Sequence, residues 1–259
     1  MDFPPLGLGT YKLTDSETGP AAVATALDLG YDHVDTAQGY GNEALVGDGL
    51  ARADRGADEV LVATKLDTDN LGYDDAIESA RASAARLDVD TIDLLYVHWP
   101  AADYDPDETL PALDALVEEG VVDRVGVSNF GPAELRAADS AGSVITNQLP
   151  YNLLYRAIEF EILPAVAERN MGILAYSTLL HGLLADKFSS PEEVPAGRAR
   201  TRHFSTERPN ARHGEAGHER TTFAALDRLR EIAAAAGLTM KDLALSWLLN
   251  RRQVSAVLV

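Results

Sequence analysis

Short apolar, β-branched runs alternate along this chain with longer stretches whose apolar positions fall at helical spacing. The runs begin near Leu6, Tyr31, Glu59, Ile92, Arg124, Val144, Met171 and Val254 and read LGLGTY, YDHVD, EVLVATK, IDLLYVH, RVGVS, VITNQL, MGILAYS and VSAVLV. Near-continuous hydrophobicity of this kind belongs to strands buried on both faces, the condition of a parallel sheet covered by helices. Between two of the runs, Asp74 to Leu87 keeps Ala76, Ile77, Ala80, Ala84 and Leu87 at helical spacing. Further helices are predicted near Thr221 to Ala236 and Met240 to Arg251.

Strand–helix repeats at roughly 20–33-residue spacing predict a single α/β domain over residues 1–259, a (β/α)8 TIM barrel. An open doubly wound sheet of eight strands would need two reversals of winding. The gap between the seventh and eighth runs is the exception, at about 80 residues. Its Gly-, Pro-, Arg- and His-rich part, 183–217, is expected to be a long loop after strand seven on the C-terminal rim, acting as a lid or cofactor loop. Val259 falls at the end of the eighth run, so the pattern lacks the closing eighth helix. The barrel is therefore expected to be open on that side, and the coding sequence to continue past Val259 for one more loop and helix.

Composition narrows the function classes. The 259 residues carry 41 acidic against 22 basic side chains, a formal charge of −19, and no cysteine. Disulfides, cysteine-ligated metals and a thiol nucleophile are excluded. The charge argues against a nucleic-acid partner, since phosphates would be repelled. No apolar stretch approaches the roughly 20 residues that span a bilayer, and no charged, apolar leader opens the sequence, so no membrane partner and a cytoplasmic location are expected. The 24 Asp, 17 Glu, 18 Arg and only 4 Lys, with the acids spread along the chain, suit a halophilic, acidic surface adapted to high salt.

Strand alternation sets Tyr31, His33 and Asp35 on one face, Leu61, Ala63 and Lys65 on one face, and Leu94, Tyr96 and His98 on one face. Asp35, Lys65 and His98 thus reach the same C-terminal rim, and Tyr40 follows in the loop after Asp35. Singly, each has an ordinary reading: a helix cap, a solvated lysine, a packed tyrosine, a satisfied core histidine. Together they can protonate a carbonyl oxygen. An ammonium paired to Asp35 is expected to lower the phenol's pKa from about 10, so that Tyr40 donates its proton while His98 hydrogen-bonds the same oxygen. GVSNFG lacks the spacing of a serine nucleophile elbow, and GLGTYK lacks the third glycine of a dinucleotide fingerprint. His203, His213 and His218 show no regular ligand spacing, and no metal is expected.

The segments GYDHVDTAQGYGNE, VATKL, LLYVHWP, GVSNF, TNQLPYN and ILAYSTLLHGLL, in this order over nearly the whole chain, resemble the aldo-keto reductases. LPYNLLYR and HGLLADKF are similar to the aryl-alcohol and inositol dehydrogenase-like branch. The resemblance implies a (β/α)8 barrel and reversible hydride transfer between NADP, with NAD as the alternative, and a small-molecule aldehyde, ketone or alcohol. It implies Asp35, Tyr40, Lys65 and His98 as a catalytic tetrad. Ser128, Asn129 and Gln148 match positions that hydrogen-bond the nicotinamide carboxamide, Tyr176 the ring that stacks on the nicotinamide, and Thr10 and Ser177 weaker ribose and pyrophosphate contacts. The family's adenosine-phosphate groups follow the eighth strand, beyond Val259, which leaves the choice between NADP and NAD open. The alternative is a catalytically idle relative that binds cofactor and partners, as potassium-channel β subunits do.

A charge of −19 is self-repulsive in dilute buffer, and molar salt shortens the Debye length to roughly 3 Å. The thermal midpoint should therefore rise markedly from dilute buffer to molar KCl, more than for a neutral protein of this size; a flat response would make the acidic surface incidental.

Overall fold

The computed structural model describes residues 3–101, 104–138 and 144–259. Eight parallel strands close into a barrel in sequence order. They are β1 (Leu6–Gly9), β2 (His33–Asp35), β3 (Leu61–Leu66), β4 (Ile92–Val97), β5 (Val122–Ser128), β6 (Val144–Pro150), β7 (Gly172–Tyr176) and β8 (Val254–Leu258). The expected gap in the sheet is absent: β8 pairs with β1 through Leu6↔Val257 and Gly7↔Leu258, and with β7 through Leu174↔Ala256. Closure is a matter of backbone hydrogen bonds between strands, so the helix count does not decide it.

The helices are α1 (Thr18–Asp28), α2 (Glu43–Arg52), α3 (Tyr73–Leu87), α4 (Pro106–Glu118), α5 (Pro132–Ala138), α6 (Ile162–Glu168), α7 (Glu219–Ala235) and α8 (Met240–Leu249). Outward positions of the strands pack on them: Val34 and Val62, with Val60 just before β3, meet Val23 and Leu27 of α1, Val46 and Leu50 of α2, and Leu87 of α3. Inward positions build the bore, where Leu61, Ala63, Leu94, Tyr96, Leu174 and Ala256 cluster with Phe3. The second strand starts two residues later than the pattern suggests. Gly30, at φ +96°, turns the chain so that the Tyr31 amide bonds back to the Ala26 carbonyl and closes α1, which removes Tyr31 from the ladder.

Two compact units emerge: residues 1–150, 157–176 and 251–259, which hold the barrel, and residues 151–156 with 177–250. The second unit contains α7, α8 and the segment at 183–217. That segment is packed rather than a bare loop, since Leu183, Leu184, Val194, Ala199 and Phe204 share a core with Phe223, Leu226, Met240 and Ala244. Its Arg208 donates to Glu219 Oε1 (2.8 Å) and the Pro191 carbonyl (2.9 Å). Among the described residues, no single helix is long and apolar enough to cross a membrane.

Helices α1 and α2 approach closely because Gly49 has no side chain: a Cβ there would lie 2.5 Å from Val23 Cβ and 2.9 Å from the Pro20 carbonyl. Alanine in a helix interior ordinarily gains about 1 kcal/mol over glycine, but overpacking of this severity costs about 3 kcal/mol. Gly49→Ala should thus destabilise the fold by about 2 kcal/mol in urea denaturation.

Candidate active site

Three strands and one turn deliver the expected rim. Asp35 is the last residue of β2, Lys65 sits near the end of β3 opposite Tyr96, and His98 follows β4 directly. Tyr40 closes the 3-10 turn Gln38–Tyr40, and Gly41, at φ +67°, lets the chain leave it in a left-handed conformation. Lys65 is fully buried, and an ammonium there survives only with partners. Its Nζ donates to Asp35 Oδ1 at 2.5 Å and to the Thr36 carbonyl at 2.6 Å. Aromatic faces lie on two sides of it: Nζ is 5.1 Å from the Tyr40 ring centroid and 5.8 Å from that of Tyr96. The Tyr40 and His98 rings meet edge-on at 5.7 Å, so all four side chains of the expected tetrad come together. Tyr11, half exposed, stands edge-on to Tyr40 at 5.1 Å, and exposed Trp99 lies 6.4 Å from His98; both supply aromatic wall.

The electrostatics depart from the sequence expectation at Tyr40. Burial, the Asp35 carboxylate and Tyr11 push the phenol's pKa upward, so the lowering expected from Lys65 is overturned. Removing the phenolate from water, with the Asp35 carboxylate nearby, outweighs the attraction of the ammonium. Lys65 itself is shifted down by burial, with Asp35 opposing the shift. Burial, reinforced by Lys65 and opposed by Asp35 and Asp67, depresses His98 to about 4. At neutral pH the mouth therefore presents a protonated phenol and a neutral imidazole.

The residues expected to face a carboxamide form one hydrogen-bonded network across β5, β6 and β7. Ser128 Oγ and the Asn129 amide N–H both donate to the Gln148 carbonyl (3.0 Å each). Asn129, at φ +64°, donates from Nδ2 to the His98 carbonyl (3.0 Å) and to Ser128 Oγ (2.9 Å), and its Oδ1 accepts from the Tyr176 hydroxyl (2.8 Å). Gln148 Nε2 donates to Asp35 Oδ2 at 2.8 Å. Amides, a hydroxyl and a partly exposed aromatic ring at three adjacent strand ends are a donor–acceptor set that fits a nicotinamide carboxamide. Thr10 is fully buried and spends its hydroxyl on the Asp35 carbonyl (3.0 Å). Ser177 belongs to the second unit, at φ +52°, with its carbonyl accepting from Asn152 Nδ2 (3.0 Å).

Sequence reasoning passed over the supports. Asn42 stands at the N-cap of α2 without capping it; its amide turns inward, donating to the Thr10 (2.8 Å) and Leu13 (3.1 Å) carbonyls and accepting from Thr36 Oγ1 (2.8 Å). Buried Glu43 takes Thr64 Oγ1 (2.6 Å) and Arg86 Nε (2.8 Å). Asn-Glu after a turn reads as an ordinary helix start, and only the polar groups waiting on β2 and β3 reveal otherwise. Gly126 leaves the space for the Tyr96 ring, whose Cε1 a Cβ would meet at 2.7 Å.

His33, fully buried beneath Asp35 on β2, is depressed to about 4 by burial, with Lys65 and Arg124 adding to the shift and Asp35 opposing it. Among the described residues neither of its ring nitrogens has a hydrogen-bond partner. A histidine whose folded pKa lies below the unfolded value of about 6.5 contributes stability that is complete above that pH and is lost as pH falls toward 4. The thermal midpoint should decline over this window, and less so in His33→Gln.

Comparison with known proteins agrees with this geometry. A sequence model of the aldo/keto reductase family matches residues 5–259. The methylglyoxal reductase DkgB of Salmonella typhimurium is 34% identical over 190 residues, which are 70% of this chain and 69% of that protein. A glycerol dehydrogenase from Gluconobacter oxydans superposes with a TM-score of 0.84 at 29% identity, covering 99% of this chain and 83% of that one. An aldo/keto reductase from Klebsiella pneumoniae, solved with NADP and acetate, shares the fold at a TM-score of 0.74 and 24% identity, covering 98% of this chain and 80% of that one. The chain belongs to the aldo/keto reductase family.

Proposed function

We propose that this chain is a nicotinamide-dependent oxidoreductase that reduces small aldehydes and ketones, and oxidises the matching alcohols, with NADP(H) as its cofactor and Tyr40 as proton donor. The observation that carries this reading is the meeting of the Tyr40 and His98 rings at 5.7 Å beside the buried Lys65–Asp35 pair. When bound, the cofactor supplies a hydride to the carbonyl carbon. Ser128, Asn129, Gln148 and Tyr176 would hold its nicotinamide, and the Klebsiella neighbour's NADP favours the phosphorylated form, NAD being the second candidate.

The chain's own part is to manage one proton. Tyr40, its pKa pushed up, keeps its proton at working pH and releases it from Oη only to an oxygen becoming an alkoxide, a far stronger base. His98, neutral near pH 7, hydrogen-bonds the same oxygen without adding a charge that would repel Lys65. Lys65, held by Asp35 and the Thr36 carbonyl, places a fixed positive charge beside the developing negative one. Tyr11 and Trp99, both exposed, offer aromatic surface beside Tyr40 and His98 against which a substrate can pack. The close grouping of Asp35, Tyr40, Lys65 and His98 supports the enzyme reading over a catalytically idle cofactor binder. The names of the relatives, a methylglyoxal reductase and a glycerol dehydrogenase, make small oxygenated carbonyls and polyols the first substrates to try. A high-salt setting completes the proposal, resting on the charge of −19.

Oxidation of NADPH, followed at about 340 nm in high salt with a panel of aldehydes, tests the reading. Turnover is expected with at least one carbonyl, and Tyr40→Phe should lower kcat at least tenfold, by roughly 10² to 10⁴, with cofactor affinity nearly unchanged. Silence with every aldehyde despite cofactor binding would sink the enzyme reading; a Tyr40→Phe variant keeping more than about a tenth of kcat would sink the role of Tyr40.

A further inference from the structure

Asp35 on β2 and Gln148 on β6 lie four strands apart in either direction around the eight-stranded ring, so the bond between them crosses the bore. Both residues are only 3% exposed. We propose that Gln148 is a positioning residue for the Asp35–Lys65 pair, a cross-barrel strut that fixes the carboxylate through its second oxygen. This rests on the reading of the site as a carbonyl reductase and adds to the expected carboxamide contact a task directed at the tetrad.

A buried carboxylate is tolerable only when its oxygens accept hydrogen bonds. Oδ1 accepts from Lys65 Nζ, and Oδ2 accepts from Gln148 Nε2. A carboxylate cannot donate, so Asp35 also sets which way the Gln148 amide faces: its NH2 toward Asp35, its Oε1 left to accept elsewhere. The backbone of Gln148 is locked in turn, its carbonyl taking Ser128 Oγ and the Asn129 N–H. Asn129 also grips the His98 carbonyl. One connected set of bonds therefore ties β6 and β5 to the tetrad members on β2 and after β4. An apolar side chain of equal length would fill the same space without aiming the carboxylate at Lys65.

The consequence is a pH signature at Lys65. Burial shifts this ammonium down, and Asp35 and Glu43 oppose the shift. A carboxylate no longer aimed by Gln148 opposes it less, so Lys65 gives up its proton at lower pH and the alkaline limb moves down. Tyr40, Tyr96, His33 and His98 also surround the pair and stay in place in every Gln148 variant. One hydrogen bond to a charged group corresponds to about one pH unit at that limb.

Gln148→Met keeps the length and removes the donor, while Gln148→Asn keeps an amide too short to cross the bore. Both are to be assayed across the pH range with a carbonyl that the wild type reduces, at saturating NADPH. The expected result is a kcat lowered about tenfold and an alkaline limb moved down by about one pH unit. NADPH affinity, measured by fluorescence, separates the two tasks: a weakened Kd with that limb unmoved makes Gln148 a cofactor contact alone and overturns the proposal.

A double-mutant cycle on the cofactor-free chain needs no activity. The thermal midpoint near neutral pH is compared for Gln148→Met made in wild type and in Asp35→Asn. Non-additivity supports the strut, and additive effects overturn it. A wild type that reduces no carbonyl would refute the activity while leaving this cycle to decide the contact.

Discussion

The Lys65–Asp35 pair is the constraint on which the rest of the site depends. An ammonium with no exposure, inside a barrel otherwise filled by Leu61, Ala63, Leu94 and Leu174, is costly to desolvate, and a single carboxylate does not offset that cost. Much of the surrounding polar structure answers this one demand. The Thr36 carbonyl turns toward Nζ, and its backbone is held because Thr36 Oγ1 is bonded to Asn42. Thr10 fixes the Asp35 main chain with both its hydroxyl and its N–H. Tyr40 and Tyr96 offer their rings, and Gly126 gives up a side chain so that Tyr96 fits.

This arrangement also decides the chemistry of Tyr40. Were Lys65 unpaired, its charge would favour a phenolate and the residue would be a base. With Asp35 beside it and burial disfavouring a second anion, the phenol is pushed toward keeping its proton, as the proposed role of Tyr40 requires. A site of this kind does little to a resting carbonyl and acts as charge develops, where stabilisation accelerates a reaction. Fixed partners matter more here than a matched pKa.

The barrel and the convergence of Asp35, Lys65 and His98 at strand ends were legible in the sequence because both are written in short-range patterns. Period-two alternation places Asp35, Lys65 and His98 at strand ends, and buried strand runs separated by helical spacing specify the parallel architecture. Boundaries were less legible: Tyr31 looks like strand but its amide closes α1, a competition settled by the left-handed Gly30. The supports were not legible at all. Asn42 and Glu43 read as a helix start, and Gln148 gives no local sign that it reaches Asp35, 113 residues away. The direction of the Tyr40 shift escaped for the same reason, since burial is a property of the assembled mouth.

The segment between β7 and β8 shows the limit of composition as a guide. Its arginines and histidines invite a reading as a phosphate-binding lid, yet several of its cations have work inside the second unit. Arg208 joins Glu219 to the Pro191 carbonyl over the Phe204 ring, Arg198 bonds the His181 carbonyl and covers Phe188, and His203 bridges Thr201 and the Leu154 carbonyl. A guanidinium engaged in this way holds loop backbone in place of a regular helix or strand, which is how about 40 residues with little secondary structure can still share a core with α7 and α8. The same residue types that bind a ligand's phosphate in one setting satisfy the chain's own carbonyls in another, and only the partners distinguish the two.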